Sequence, residues 1–515
     1  MLNGTFIIRQ IKRIKMKSIK NTSGQGCHPG GWRKRFSGIR SLDRFDGILI
    51  LMVLLYAMSL SSLSLLRYNT FQLEYDLAVF NQAFWNMVVN GELMTNSLEQ
   101  LAHNMAVGSH IGVHFSPILF SLIPFYALLP GPHILLIAQS VLLALGAVPI
   151  YLCARELLGK GSGCIVAVLY LIYPPLHGVN LYDFHEVAFL PMLLGFALWG
   201  LISGRRNLML IFGLLSLCVK EDVSLIVFMI GLVGLYQTRG ESVKHRWHFF
   251  VLMGMAVLSF IVFFLVIQPF FIPSASSIGS GFLNQYINPV ATATQHSSYR
   301  IDYVLQTFGP LLFIPLAAPE IILIGIPSFV EILFSGSVYY SVYFHYSALI
   351  IPVIFFATII SLTRIRSWDE KNKKRLYLPI LCLMLISSLI CMGMYSPAVK
   401  LLGTKGTYDE EAIGSHREFV EQVISIIPRD VSISTQYNLL PQVSSRKLIW
   451  VDYHEGADII LLDNAFAWRA KDFSDNQKEI DEGYNLILNK NYLSLYVNKK
   501  NPSLQSELNR SLSSF

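Results

Sequence analysis

Residues 47–66 read GILILMVLLYAMSLSSLSLL, a run of twenty residues without a single charge. At about 1.5 Å per residue, a helix of this length crosses the roughly 30 Å hydrocarbon core of a bilayer. The whole chain has the same character: 53% of its 515 residues are hydrophobic, only 14% are charged, and the mean hydropathy is +0.49. Soluble domains carry about 25% charged residues. The composition therefore excludes an ordinary soluble enzyme and predicts a polytopic membrane protein.

The segment before this first span is strongly basic. It has eleven Lys or Arg residues between Arg9 and Arg44 and one acidic residue, Asp43. An excess of Lys and Arg next to a span is typical of its cytoplasmic side. A basic arm that binds nucleic acid has a similar composition, but here a membrane span follows directly. We therefore predict that residues 1–45 form a basic cytoplasmic segment.

The alternation of charge between the later apolar runs predicts eleven spans, with the N-terminus inside and the C-terminus outside. The run at 117–129 is short and contains Pro124, which is typical of a re-entrant or interfacial segment. The spans are expected at 47–66, 133–158, 163–174, 187–203, 207–219, 223–236, 248–268, 303–318, 320–334, 347–363 and 376–395. Together they predict an all-α transmembrane domain over residues 46–395, with a polar outer loop at 269–302.

Residues 396–515 are more polar than the rest of the chain. A helix is expected at 413–427, where Pro428 ends it. Short strands are expected at 431–435, 447–451 and 458–462. This pattern predicts a small α/β domain on the outer face, and it contains no recognisable catalytic motif.

The polar residues of the membrane domain collect in a few clusters, and the first contains Glu74 and Asp76. Because an ionisable residue costs roughly 2.5–3.5 kcal/mol near the bilayer centre, its position is informative. An apolar stripe with Asn81 and Gln82 on the opposite face follows this cluster, which predicts an amphipathic helix lying in the interface. Asp76 either caps this helix or serves as a functional carboxylate, and the pattern leaves both interpretations open.

Two further clusters contain histidines. His114 opens the short apolar run at 117–129, and its spacing does not support a metal site. Asp183, His185 and Glu186 stand just before a span. Asp183 and Glu186 have the spacing of a capping box, but capping does not account for His185.

The turn Lys220-Glu221-Asp222 separates two apolar runs of only about 20 Å each. Since the bilayer core is thicker than that, the turn is expected below the outer surface, in a polar cavity. Lys220 would pair with one of its two neighbours, and even that pair marks a wet pocket.

Arg300 lies in the large outer loop, and His345 and Tyr346 come just before a span. The planar guanidinium of Arg300 is suited to hold a phosphate, although a solvated loop charge is the commoner case.

Several of these pieces, in this order, resemble a family of predicted prokaryotic membrane proteins of unknown function that is related to the GT-C glycosyltransferases. The matching pieces are YDLAVFNQAFWN at 75–86, HFSP at 114–117, YPP at 173–175, LYDFHE at 181–186 and KED at 220–222. GT-C enzymes have many spans, a long first outer loop and often a soluble outer C-terminal domain. The resemblance implies a membrane-bound transferase whose sugar donor is carried on a polyprenyl phosphate or diphosphate.

The resemblance also places a catalytic carboxylate in the first outer loop, here Asp76 or Glu74. No acceptor motif of the family can be matched, so transfer and hydrolysis both stay open. A carboxylate can act as general base toward an acceptor hydroxyl, and a cation such as Lys220 or Arg300 can stabilise the leaving phosphate. The candidate catalytic residues are Asp76, Glu74 and Asp183. The candidate substrate-binding residues are His114, His185, Glu186, Lys220, Glu221, Asp222, Arg300, His345 and Tyr346.

The sequence contains neither an Asp-x-Asp motif nor a Walker A loop, which disfavours a soluble-type nucleotide-sugar enzyme and an ATPase. No cofactor is clearly required, and a divalent metal held by Asp76, Asp183 and His185 stays open. The expected partners are membrane lipid, a polyprenyl-phosphate-linked sugar and an unknown acceptor, without nucleic acid.

The main alternative function is a transporter or flippase of a polar or lipid-linked solute, which would use the same buried charges as a binding pathway. The clusters lie on one side of the predicted membrane, and no inverted repeat is evident, so this alternative is less favoured. A non-catalytic scaffold would leave the charged turn at 220–222 unexplained.

Overall fold

The computed structural model describes residues 43–272, 297–335, 339–403, 410–469 and 471–513. The basic segment predicted at 1–45, apart from its last three residues, lies outside the described residues. So does most of the outer loop predicted at 269–302.

Within the described residues, six helices are long and apolar enough to cross a membrane. They are Arg44–Asn69, Pro132–Leu158, Glu186–Ser203, Val243–Phe271, His345–Asn372 and Tyr377–Tyr395. A seventh span results if the helices Lys160–Leu171 and Pro174–Leu181, which meet at a 48° bend, are counted together. The six long helices and Lys160–Leu171 each coincide with a predicted span, whereas Pro174–Leu181 extends beyond the span predicted at 163–174. The predicted all-α membrane domain is confirmed.

Three shorter apolar helices complete this part of the bundle: Pro117–Leu128, Arg206–Ser216 and Val223–Gln237. The first corresponds to the segment predicted to be re-entrant or interfacial. The other two flank the charged turn at 220–222, and both are shorter than a full crossing, as their sequence indicated.

The region predicted as two spans at 303–318 and 320–334 is broken into short pieces. They are Ser297–Phe308, Gly309–Leu311, Ile314–Ala317, Pro319–Ile322, Leu323–Gly325 and Ile326–Phe334. Pro310, Pro315 and Pro319 stand at the starts of three of these pieces, and a proline cannot supply the N–H that continues a helix. Leu312 and Phe313, which lie between the second and third pieces, adopt positive φ angles of 51° and 57°. Helix length therefore does not support the two spans that were predicted here.

The helix His345–Asn372 runs through the centre of the bundle. In its apolar window 89% of the residues are buried, compared with 17% for Tyr377–Tyr395 and 22% for Val243–Phe271. The two outer helices expose apolar side chains such as Leu383 and Leu258. Hydrocarbon chains are as apolar as these side chains, so the exposed faces are lipid-facing surfaces.

Basic loops gather at one end of the bundle. Arg155 approaches Asp43 at 3.2 Å, and Lys160 pairs with the same carboxylate. Arg366 donates to the Leu158 carbonyl at 2.6 Å. These contacts join the start of the first span to two loops that the charge pattern predicts to be cytoplasmic, and so the three basic segments share one face.

The C-terminal region contains a five-stranded mixed sheet. Its strands are β1 (Ile433–Thr435), β2 (Ile449–Val451), β3 (Ile459–Asp463), β4 (Tyr484–Lys490) and β5 (Leu493–Asn498). The strand order is β2-β1-β3-β5-β4, with β1 parallel to β2 and β3, and β5 antiparallel to β3 and β4. The neighbouring helices are Pro397–Gly403, Glu410–Ile426, Leu440–Val443, Lys471–Asp475, Gln477–Gly483 and Pro502–Leu512. The predicted small α/β region is confirmed, with two more strands than the pattern indicated.

Residues 67–115, the segment predicted to be the first outer loop, lie between the bundle and this sheet. Its helices are Tyr75–Trp85, continued by a π-helical turn at Asn86–Asn90, then Ser97–Ala102 and His110–Val113.

The helix Tyr75–Trp85 was predicted to lie in the lipid interface, but both of its faces are covered by protein. The Gln82 side chain donates to the Lys447 carbonyl at 2.9 Å, so the polar face contacts the C-terminal region. The Phe84 ring packs on Tyr126 with 5.2 Å between centroids, so the apolar face contacts the bundle. The amphipathic pattern reflects two different protein surfaces, and the interfacial placement is wrong.

Candidate active site

The start of the helix Tyr75–Trp85 is held by a carboxylate from another part of the chain. The Asp183 carboxylate accepts the backbone N–H of Glu74 at 3.1 and 3.2 Å and that of Leu77 at 3.1 Å. Free N–H groups at a helix start need such acceptors. The helix has no cap from its own side chains. Capping was one of two interpretations of Asp76, and here Asp183 performs it instead.

Asp76 is consequently free of a capping role and lies in the first turn of this helix. Its side chain is 34% exposed, and its Oδ2 is 3.4 Å from His185 Nε2. Burial alone would raise the pKa of Asp76, but the hydrogen bond and charge of His185 outweigh it and lower the pKa below its usual value. The carboxylate is therefore ionised at neutral pH and can accept a proton.

The pKa values of two neighbouring groups, His185 and Asp183, are raised, whereas that of Asp76 is lowered. Burial opposes protonation of His185, but the Asp76 carboxylate raises its pKa above the usual value. Burial, together with the nearby Asp76 charge, raises the pKa of Asp183 to about 6. The two aspartates therefore have different properties: one is accessible and ionised, and the other is buried and bound to backbone N–H groups.

Gln139, in the second span, fixes the loop that carries Asp183 and His185. Its Nε2 donates to the Asp183 carbonyl at 3.2 Å, and its Oε1 accepts the His185 N–H at 2.8 Å. The side chain is fully buried. The predicted capping box of Asp183 and Glu186 does not form, because the short helix Glu186–Phe189 has no side-chain cap.

His185 also belongs to a stack of aromatic rings. Its ring lies on that of His345 with 3.6 Å between centroids and 20° between planes. Tyr182 stacks on His185 at 5.4 Å, and Tyr346 lies 4.1 Å from His345. The stack brings together three residues that the sequence singled out at distant positions, namely His185, His345 and Tyr346.

The turn at 220–222 is tied to the first outer loop through Glu221. Its carboxylate contacts His114 Nδ1 at 2.9 Å and accepts the Phe115 N–H at 3.1 Å. His114 keeps 34% of its side chain exposed. Two candidate substrate-binding residues, His114 and Glu221, are therefore in direct contact.

Asp222 is buried, and Lys220 is half-buried, beside the aromatic stack. Lys220 Nζ lies 3.8 Å from Asp222 Oδ2. Both residues line a cleft with His345, Tyr346 and Glu331, and the cleft measures only about 10 Å³. This is at most enough for one water molecule, so the polar space beside Lys220 is closed in this structure.

Three further residues were predicted to belong to the site, namely Glu186, Glu74 and Arg300. Glu186 is buried, and its Oε2 has no hydrogen-bond partner among the described residues. Glu74 contributes its backbone N–H to Asp183. Arg300 donates from Nε to the Leu333 carbonyl at 2.6 Å and from Nη2 to the Ser335 carbonyl at 3.0 Å. Arg300 thus braces the end of a helix with the donors that were expected to hold phosphate.

Two buried features near the site, the Glu99–His110 pair and Gln139, were not predicted as site residues. Glu99 pairs with His110 Nδ1 at 2.9 Å, and the His110 ring lies 5.7 Å from that of His114. Gln139 was also missed, although a lone amide inside an apolar span is itself a signal. The signal for Glu99 is weaker, because nothing in the pattern of an outer loop indicates burial.

The possible metal site of Asp76, Asp183 and His185 receives no support from the geometry. Within the described ranges, no three His, Cys, Asp or Glu side chains are arranged to hold a metal ion. The Asp183 oxygens are already occupied by backbone N–H groups.

Residues 67–493 match the family described as predicted membrane protein, DUF2079. The chain belongs to this family. The match covers the first outer loop, the histidine and carboxylate cluster and most of the C-terminal sheet. No curated protein matches the sequence.

Solved structures show the fold of this DUF2079 protein. ArnT from Cupriavidus metallidurans bound to undecaprenyl phosphate is 13% identical, with a TM-score of 0.55 over 88% of this chain and 98% of that chain. Its apo state gives 12% identity and a TM-score of 0.56, over 89% and 98% of the chains. An Archaeoglobus fulgidus oligosaccharyltransferase tethered with an acceptor peptide is 11% identical. Its TM-score is 0.45 over 85% of this chain and 72% of that chain. The protein is a multi-pass membrane protein with the GT-C fold.

Proposed function

We propose that the protein is a GT-C-type glycosyltransferase that moves a sugar from a polyprenyl-phosphate donor to an acceptor on the outer face of the membrane. Asp76 is the general base. The observation that carries this proposal is the contrast between two neighbouring carboxylates. Asp183 is buried and bound to the helix start, whereas Asp76 is partly exposed and released from capping.

In the proposed reaction the acceptor hydroxyl gives its proton to the Asp76 carboxylate. The hydroxyl oxygen forms a bond to the anomeric carbon of the sugar, and the bond from that carbon to the phosphate oxygen breaks. The polyprenyl phosphate leaves with the electron pair of the broken bond. His185 holds Asp76 in place from 3.4 Å, and such positioning contributes to general-base catalysis.

The leaving phosphate needs positive charge, and Lys220 is the proposed source. Lys220 lies behind the ring stack and lines the closed cleft with His345 and Tyr346. We therefore expect donor binding to open this cleft by moving the segment that carries the two rings. Arg300 is assigned a bracing role, because its guanidinium donates to two backbone carbonyls.

The fold supports a lipid-linked donor. The ArnT structure with the same fold is bound to undecaprenyl phosphate, and a lipid carrier keeps the sugar next to the membrane. The proposal places the residues 396–515 on the outer face, where the C-terminal sheet covers the first outer loop.

Purified protein incubated with radiolabelled polyprenyl-phosphate sugars tests the proposal. We expect sugar to be transferred to an acceptor, or released to water when no acceptor is present. The matched variants are Asp76→Asn, which should lose the reaction, and Asp302→Asn, an exposed carboxylate that should keep it. Solute counterflow in vesicles without any sugar release would instead support a transporter.

A further inference from the structure

A second cleft lies at the basic end of the bundle, far along the chain from the candidate active site. It measures about 490 Å³ and opens beside the loop between the last two spans. Pockets of several hundred Å³ are large enough for a small ligand or a lipid headgroup. The residues that line it are Arg366, Asp369, Glu370, Lys374, Arg375, Tyr377, Leu378 and Pro379.

The charges of this cleft leave an excess of cations. The Glu370 carboxylate lies 3.5 Å from Arg366 Nε, so these two charges balance. The Asp369 carboxylate accepts the Tyr377 N–H at 2.6 Å. In the described part of the chain, Lys374 and Arg375 form no ion pair. These two side chains are therefore available for an anion such as a phosphate.

Asp369 supplies a second and independent indication of a ligand. Its residue is only 7% exposed, and its Oδ1 has no hydrogen-bond partner among the described residues. A buried carboxylate oxygen without a donor is costly. Asp369 also lines the cleft. A ligand hydroxyl next to the phosphate would therefore satisfy this oxygen once binding has opened the surface that covers it, while the cations hold the phosphate.

The surroundings of the cleft are apolar and exposed. Trp368 is 49% exposed, Leu376 is 49% exposed and Leu378 is 62% exposed. Tryptophan at the end of a span is typical of the membrane–water interface. Acyl chains can therefore lie against this surface while a headgroup enters the cleft. Because a free anion would not need an apolar surface beside its site, these residues favour a lipid.

The geometry points to a binding site for the headgroup of an anionic phospholipid, specifically phosphatidylglycerol. Lys374 and Arg375 bind its phosphodiester, and Asp369 Oδ1 accepts a hydroxyl of its glycerol headgroup. Basic clefts between helices at the membrane surface bind lipid headgroups in this way. This site is independent of the proposed sugar transfer at the opposite end.

Native mass spectrometry of the full-length protein in detergent, titrated with defined lipids, tests this inference. We expect phosphatidylglycerol to bind at least tenfold more tightly than phosphatidylcholine. Since each cation in contact with the headgroup would contribute about 1 kcal/mol, the double variant Lys374→Gln/Arg375→Gln should bind phosphatidylglycerol roughly thirtyfold more weakly. The control Lys371→Gln/Lys373→Gln removes the same charge from the same loop, outside the cleft, and should bind within about threefold of the parent.

Three results would overturn the inference. Equal losses in the two double variants would reduce it to general attraction of anionic lipid. Displacement of the lipid by millimolar inorganic phosphate would make the site one for free anions. Phosphatidylmethanol has the same charge but no headgroup hydroxyl, so binding as tight as that of phosphatidylglycerol would remove the Asp369 contact.

Discussion

At one end of the helical bundle, Asp76, Asp183 and His185 share contacts with a helix start, a loop and a ring stack. At the other end, basic side chains pair with partly exposed carboxylates: Arg155 contacts Asp46 and lies 3.2 Å from Asp43, and Lys160 contacts Asp43 as well. The ionisable groups of the first end are mostly buried, and burial makes unpaired charge costly. The difference fits our proposal that the first end carries the chemistry, and our prediction that the second end sets the orientation in the membrane.

The largest expected effect concerns which end faces outward. In a variant without the six native cysteines, a membrane-impermeant maleimide should label Ser506→Cys in intact cells. It should label Asn372→Cys only after permeabilisation. Both positions are exposed, in a C-terminal helix and in the basic loop, so access to the reagent decides the result. The reverse pattern would invert the topology and remove the outer site.

The next largest effect is expected on the turnover of the variant Asp76→Asn, in the candidate active site. Loss of a general base typically slows turnover by about 10²–10⁴-fold. Stability should change by no more than about 1 kcal/mol, because Asp76 does not cap the helix and its ion pair is partly exposed. Initial rates with a labelled donor and thermal unfolding in detergent measure the two quantities. Near-normal turnover would move the role of base to Glu74.

Asp183→Ala should have the opposite profile, with a large loss of stability. The change leaves the buried N–H groups of Glu74 and Leu77 without an acceptor, at a cost of about 2–4 kcal/mol in total. Thermal unfolding of the variant, compared with Asp302→Ala as an exposed control, checks this prediction. An unchanged melting temperature together with lost turnover would make Asp183 a catalytic residue rather than a positioning residue.

The smallest effect is a pH dependence of stability from the Asp76–His185 pair. The lowered pKa of Asp76 contributes stability that is lost as the pH falls through that pKa, below about 4. The raised pKa of His185 contributes stability that is complete below about pH 6.5 and is lost as the pH rises through the raised value. The parent should therefore melt highest between these limits.

The variant His185→Ala should show a weaker decline in melting temperature above about pH 6.5, whereas the exposed control His103→Ala should decline as the parent does. Part of the decline remains in both variants, because Glu99 also raises the pKa of His110. Melting curves between about pH 4 and 9 give the comparison. An identical profile in the parent and in His185→Ala would show that the pair is not charged in the folded protein.

The sequence predicted the fold best where one physical cause dominates. Long apolar runs give spans whatever their neighbours are, so the helices at 44–69 and 377–395 were predicted correctly. The pieces at 303–334 were not, because their apolar composition resembles a span while several prolines break the helix. Strands β4 and β5 were not predicted. Asn491 and Tyr492 connect these two strands, and both adopt positive φ angles. Asn-Tyr is not one of the residue pairs that signal a hairpin turn in a sequence.

The site was predicted in composition more than in arrangement. His185, His345 and Tyr346 were singled out separately, and their ring stack depends on packing that spacing along the chain does not reveal. The exchange of capping between Asp76 and Asp183 has the same cause, because the residues are 107 positions apart. Only the fold brings the Asp183 carboxylate to the start of the helix Tyr75–Trp85.

We propose above all that the end of the bundle that carries Asp76, Asp183 and His185 binds a lipid-linked sugar. A polyprenyl-phosphate sugar with a photoactivatable group on the sugar, cross-linked to the purified protein and located by peptide mass spectrometry, tests it most directly. We expect cross-links in peptides that contain Asp76, His185 or His345, and we expect excess unlabelled donor to abolish them. Cross-links confined to the basic loop at 364–378, or spread evenly over the lipid-facing helices, would contradict it.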